Sequence, residues 1–77
     1  MPLDPTPDWV LTRRREIGAR IRTERERVGL TQEQLAARVG REHRTIHRWE
    51  YGTRIPNLED LLLLAHAFDI PITDLVR

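Results

Sequence analysis

Three arginines and two histidines crowd the segment GREHRTIHRWEYG, residues 40–52, around only two large apolar side chains, Ile46 and Trp49. A guanidinium presents a planar fork of donors that matches the O6 and N7 edge of guanine, or two oxygens of a phosphate. His43 and His47 lie one helical turn apart, a spacing that can also chelate zinc or nickel. That reading lacks its supporting cast: the chain has no cysteine, Arg44 rather than a glutamate follows His43, and His66 belongs to another segment. No catalytic set stands out either. An enzyme needs a nucleophile, a base or paired carboxylates gathered in a pocket, and the adjacent acids Glu59 and Asp60 fall at a helix start, where carboxylates complement the helix dipole. These residues predict a binding protein and not an enzyme, with no metal and no cofactor.

Charge supports that direction. The formal net charge of +1 conceals −2 in residues 1–8, +6 in residues 9–54 (twelve arginines against six glutamates) and −3 in residues 55–77. A chain polarised in this way can hold a polyanion locally while staying close to neutral overall. All of its basic residues except the histidines are arginine, which suits bidentate contacts, although a GC-rich genome explains most of that preference. The N-terminal MPLDPTPD has none of the basic and apolar character of a secretion signal, and the apolar run from Leu61 to Ala65 is far short of the roughly 20 residues that span a bilayer. The expectation is a cytoplasmic, nucleoid-associated protein with no membrane contact, and the absence of cysteine leaves its stability to helix packing.

A chain of 77 residues makes one domain. Residues 1–8, with three of the five prolines, read as a disordered arm, and residues 9–77 as the folded unit. From an N-cap at Asp8 or Thr12, Val10, Ile17, Ile21 and Val28 recur at helical spacing until Gly29 stops the first helix. Thr31 and Gln34 have the spacing of a capping box that opens a second helix with Leu35, Ala36 and Val39 inward, and Gly40 permits the tight turn that follows. A third helix from about Glu42 to Tyr51 sets Ile46, Trp49 and Glu50 on one side and Arg44, His47, Arg48 and Tyr51 on the other. After Gly52 and Pro56, Asn57 caps a fourth helix with a stripe of Leu58, Leu61, Leu64, Ala65 and Phe68, and Leu63 points away from it. Ile72 to Val76 forms a fifth, short turn. The fold class is all-α.

With these elements in place, "RIRTERERVGLTQEQLAARVG", "TIHRWEYGTRIPNLEDLLLLAHAF" and the spacing between them resemble the lambda-repressor-like, XRE-type helix-turn-helix DNA-binding domains over roughly residues 14–76. The resemblance implies a compact five-helix domain of a bacterial or phage transcriptional regulator that binds double-stranded DNA, with the third helix in the major groove. It places base contacts on His43, Arg44 and Arg48, with Glu42 and His47 beside them. Phosphate contacts fall on Gln32, Thr45, Tyr51, Thr53 and Arg54, and a structural salt bridge on Arg25 and Glu50. Glu42 stands where the family prefers Ser or Thr, Asp69 where it prefers glycine, and Pro71 where it prefers a cap. Leu63 replaces a polar residue and, with Ile72, Leu75 and Val76, marks the surface expected to make a homodimer on a two-fold operator. The alternative keeps the fold and changes the ligand: a protein partner, as for an antitoxin or adaptor module, with DNA secondary or absent.

Overall fold

The computed structural model describes residues 5–77. Among them five helices and no strand form: α1 (Asp8–Arg27), α2 (Gln32–Val39), α3 (His43–Tyr51), α4 (Leu58–Phe68) and α5 (Thr73–Val76). Part of the expected arm, residues 1–4, lies outside the described residues, and residues 5–7 are exposed without regular structure. Neither Asp8 nor Thr12 caps α1. The chain enters the helix one residue earlier, at Pro7, whose carbonyl accepts from the N–H groups of Val10 and Leu11 at 3.0 and 3.3 Å and whose side chain can cap nothing.

The remaining boundaries follow local chemistry. At the end of α1, Gly29 N–H donates to the Glu26 carbonyl at 3.0 Å and Leu30 N–H to that of Arg25 at 3.1 Å, with Gly29 at φ 74°. This paired return needs a left-handed residue, which glycine adopts at no steric cost. Thr31 and Gln34 form the reciprocal capping box at the start of α2, and Asn57 and Asp60 form a second one at the start of α4. Glu42 is the N-cap of α3 but makes no side-chain bond there. Asp69 takes the left-handed conformation at φ 55° that the family gives to glycine, so Ile70 N–H still reaches the Ala65 carbonyl at 3.0 Å. A short polar side chain tolerates that region better than other non-glycine residues do. The fifth helix then begins at Thr73, with Ile72 as its N-cap.

Ile21, Leu35, Val39, Ile46, Trp49, Leu64, Phe68 and Leu75 form the buried core, with Ala36 and Ala65 small enough to let helices meet. Two expectations about apolar faces need correction. Leu58 is not in the core: it is 67% exposed, as is Leu62 at 53%, while Leu63 is half-buried against the core. Leu58 is the first residue of α4 and projects past the packed stretch, while Leu61, Leu64, Ala65 and Phe68 keep the inward face. At the same helix start the buried Asp60 carboxylate is held by Arg41 at 2.8 Å. Leu75 is fully buried, because a single-turn α5 has one inward position and Leu75 occupies it, leaving Ile72 and Val76 half-buried at its flanks. Leu75 therefore cannot belong to a subunit surface.

The long α1 is the pillar, packing on α3, α4 and α5. Its closest approach is at Gly18, where a Cβ would stand 2.3 Å from the Trp49 carbonyl oxygen and 2.7 Å from that of Glu50. Both neighbours are backbone, so neither can rotate aside. Gly18→Ala gains about 1 kcal/mol of helix propensity but must separate α1 from α3. The net expectation is a loss of about 2 kcal/mol, read as a lower urea midpoint at unchanged m-value.

Candidate nucleic-acid interface

The face of α3 that could meet a ligand is set by what its other face buries. Ile46 and Trp49 sit in the core, and Glu50 follows them inward with its side chain only 1% exposed. A buried carboxylate is costly unless it is paired and hydrogen-bonded. Arg25 of α1 supplies the pair in bidentate form, Nε to Oε2 at 2.7 Å and Nη2 to Oε1 at 3.0 Å. The remaining Nη1 donates to the Leu30 carbonyl at 2.8 Å, which ties the α1–α2 turn into the same group. The Arg25 guanidinium is held above its ordinary pKa, first by its hydrogen bond to Glu50 and against the opposing effect of burial. The structural pair expected from the sequence is thus formed.

Gln32 extends the network outward. Its Nε2 donates to Glu50 Oε1 at 3.2 Å, so its carbonyl Oε1 faces His43 Nε2 at 2.9 Å and accepts from it. The bonds orient the Gln32 amide, and the other ring nitrogen of His43, Nδ1, lies 3.7 Å from Glu33 Oε1. The other N–H of the Gln32 amide has no acceptor among the described residues. The other expected residues line the same exterior. Glu42, Arg44 and His47 are exposed, Thr45 and Arg48 are half-buried, and the His47 and Tyr51 rings lie 4.4 Å apart at a tilt of 34°. Past Gly52, the hydroxyl and N–H of Thr53 donate to the Arg48 carbonyl at 3.3 and 3.0 Å, so Thr53 finishes α3 as well as facing outward. Arg54 is exposed beside it.

No carboxylate pairs with Arg44, Arg48 or Arg54 among the described residues, whereas Arg13, Arg22, Arg25, Arg27 and Arg41 each have one. Arg41, which added to the apparent charge of the opening segment, is bound to Asp60 by Nε at 2.9 Å and to the Val39 and Gly40 carbonyls by Nη1. It joins the α2–α3 turn to the start of α4. Asp60 accordingly does more than complement a helix dipole. That long-range pair carries no spacing signal in the sequence, whereas Gly18, a lone glycine inside a strong helical pattern, does signal a close backbone approach.

Comparison with known proteins decides what this arrangement is. A helix-turn-helix family model matches residues 21–75. The chain belongs to the helix-turn-helix family, in its XRE-type branch. A solved structure, the restriction-modification controller protein C.AhdI from Aeromonas hydrophila, superposes with a TM-score of 0.76 at 36% identity, covering 79% of this chain and 92% of that one. The clp gene regulator ClgR from C. glutamicum shares the fold with a TM-score of 0.76 at 24% identity, covering 94% of this chain and 86% of that one. A comparison with curated proteins finds no match.

In helix-turn-helix terms α2 and α3 are the motif, and the protein is a DNA-binding transcriptional regulator whose five-helix fold presents α3 outward. The axis of α3 is held through the buried Glu50 carboxylate, so removing it should unseat the motif. Glu50→Ala leaves the Arg25 fork buried without a partner, and we expect about 3–5 kcal/mol lost in chemical denaturation. Gln32→Ala, which removes a partly exposed amide, should cost under about 1.5 kcal/mol in the same experiment.

Proposed function

We propose that this regulator reads guanine-containing half-sites directly from α3, as a homodimer on a two-fold operator. The observation that carries the reading is the combination of two guanidinium groups with no carboxylate partner among the described residues, Arg44 and Arg48, on the outer face of α3, with every buried residue of that helix engaged in the core or in the Arg25–Glu50 pair. Each fork can grip O6 and N7 of one guanine, worth about 1–3 kcal/mol of discrimination. His43, held by Gln32, and Glu42 and His47 flank these two at the groove floor. Glu42, a pure acceptor when ionised, would take the amino group of a cytosine. Gln32, Thr45, Tyr51, Thr53 and Arg54 would grip phosphates on either side, positioning the helix without reading sequence. Occupancy of the operator would then block or recruit polymerase in the cytoplasm, on the nucleoid. No helix among the described residues is long and apolar enough to cross a membrane.

For the dimer, the support is the pair of exposed leucines Leu58 and Leu62, one turn apart on α4; Leu63, Ile72 and Val76 are half-buried against the core. Two recognition helices on a two-fold axis would enter major grooves about 34 Å apart. Sedimentation equilibrium should return a dimer, and Leu62→Glu, at an exposed site that costs the fold little, should shift it to monomer; a monomeric wild type at high concentration removes the homodimer.

The base-reading claim is tested by selecting bound sites from a random duplex library. A guanine-bearing palindrome is expected, with Arg44→Ala and Arg48→Ala each relaxing preference at its own position by about 1–3 kcal/mol. Weak binding that enriches nothing and vanishes steeply with salt would reject direct readout.

A further inference from the structure

The first turns of α1 carry an arginine triplet, Arg13-Arg14-Arg15, followed by a single acid, Glu16. That acid is taken by Arg13 at 2.5 Å, and Arg13 also donates to the Val76 carbonyl at 2.6 Å, which fastens α5. Arg14 and Arg15 have no carboxylate partner among the described residues, and Arg15 is exposed. Their position matters more than their number. A Cβ on Gly52 would stand 3.0 Å from the N, Cα and Cγ of Arg15, so α1 runs directly against the residue that ends α3. The two residues after Gly52 are Thr53 and Arg54, held against the Arg48 carbonyl through their N–H groups at 3.0 and 3.4 Å. Two arginines with no carboxylate partner among the described residues, Arg15 on α1 and Arg54 in the α3–α4 turn, thus flank one glycine. The matched family region begins at residue 21, so this part of α1 lies outside it.

We propose that the start of α1, through Arg15 with Arg14 beside it, joins Arg54 as a phosphate clamp that extends the DNA footprint past the end of α3. The ligand is the sugar–phosphate backbone of duplex DNA next to the half-site that α3 reads, and the proposal rests on the DNA-binding reading above. Guanidinium groups without internal acid partners keep their full charge for a phosphate, and a planar fork can hold two of its oxygens. Such contacts add affinity and salt dependence but carry no base preference. Arg15 also lies near the carbonyl end of α3, where a cation is favourable in the free protein. That local role would leave no trace in the salt dependence of DNA binding, so the two are separable.

The test uses the full chain and two duplexes carrying the selected site, one cut at its edges and one with about ten flanking base pairs, titrated over a range of salt. Each phosphate contact adds about 0.9 to the log–log slope and about eightfold in affinity at 0.1 M salt relative to 1 M. On the flanked duplex, R14Q/R15Q should lower the slope by about 1–2 and weaken binding by about eightfold or more, with the same bases selected. R14K/R15K should keep the wild-type slope, and thermal melting should show all three proteins folded, since glutamine and lysine preserve the Cγ that packs on Gly52. On the trimmed duplex the wild type should fall to the level of R14Q/R15Q. An unchanged slope for R14Q/R15Q, alongside relaxed base selection by Arg44→Ala, overturns the clamp and leaves DNA reading intact. A change in the selected bases would overturn it too, by showing readout rather than a backbone contact. Loss of all site selection in the wild type would reject both.

Discussion

The buried carboxylate of Glu50 is the constraint around which the motif is arranged. Placed inside α3 next to Trp49, it is met by Arg25 with two hydrogen bonds and by Gln32 with a third. A hydrophobic pair of equal volume would serve stability at least as well, since desolvation of two charges offsets much of their attraction. What the ion pair adds is direction. Its bidentate geometry fixes α3 in rotation as well as in distance, and α1, the α1–α2 turn and the start of α2 converge on the same few atoms. Because the partner cation is an arginine whose pKa is raised further by Glu50, the cation's contribution holds at every pH below its titration and is lost only in strong alkali.

From that buried group a chain of oriented dipoles reaches the surface. Glu50 takes the amide N–H of Gln32, the amide oxygen takes the ring N–H of His43, and His43 is the first residue of α3. The inside of the protein therefore sets which edge of an exposed imidazole is spoken for. A side chain placed this way loses less conformational freedom on binding than a free rotor would, which is where preorganised recognition gains affinity. The arginines divide along the same line. Arg13 and Arg27 close carbonyl ends of α5 and α4, Arg25 and Arg41 pair with buried acids, and Arg44, Arg48 and Arg54 are left unspent. A net charge of +1 is compatible with strong local attraction because Arg44, Arg48 and Arg54 have no carboxylate partner among the described residues, whereas the buried acids Glu50 and Asp60 are taken by Arg25 and Arg41.

What could be read from the sequence was whatever is local. The Thr31–Gln34 capping box, the Asn57 cap, the Gly29 return and the inward set Ile46, Trp49 and Glu50 depend on residues within one or two turns of each other, and the structure has all of them, with Asp60 completing a second box at Asn57. The Arg25–Glu50 pair, though distant in sequence, was legible only through the family resemblance. The errors lie at element ends, where periodicity cannot say what there is to pack against. Leu58 satisfies the spacing of the α4 stripe, yet as the first residue of the helix it projects past the core that Leu61, Leu64, Ala65 and Phe68 meet. Leu75 looked surplus because nothing local revealed that α5 is a lid with one inward residue. Pro7 displaced the expected caps because a proline that fixes φ near −60° can start a helix without a side-chain bond.

Length explains why the scaffold needs so many cross-ties. The helices α2, α3, α4 and α5 have 8, 9, 11 and 4 residues, at or below the roughly 12–15 at which an isolated helix becomes marginal in water. None can hold the recognition face by itself. Only α1, at 20 residues, spans the others, and it touches them through different devices: a bare glycine against α3, an arginine fork into Glu50, and arginine donors onto the carbonyl ends of α4 and α5. Disturbing any one of these transmits to α3, because the short helices have no stability of their own to absorb the change. The orientation of the DNA-reading surface is in this sense a property of α1, although α1 supplies none of the residues expected to touch a base.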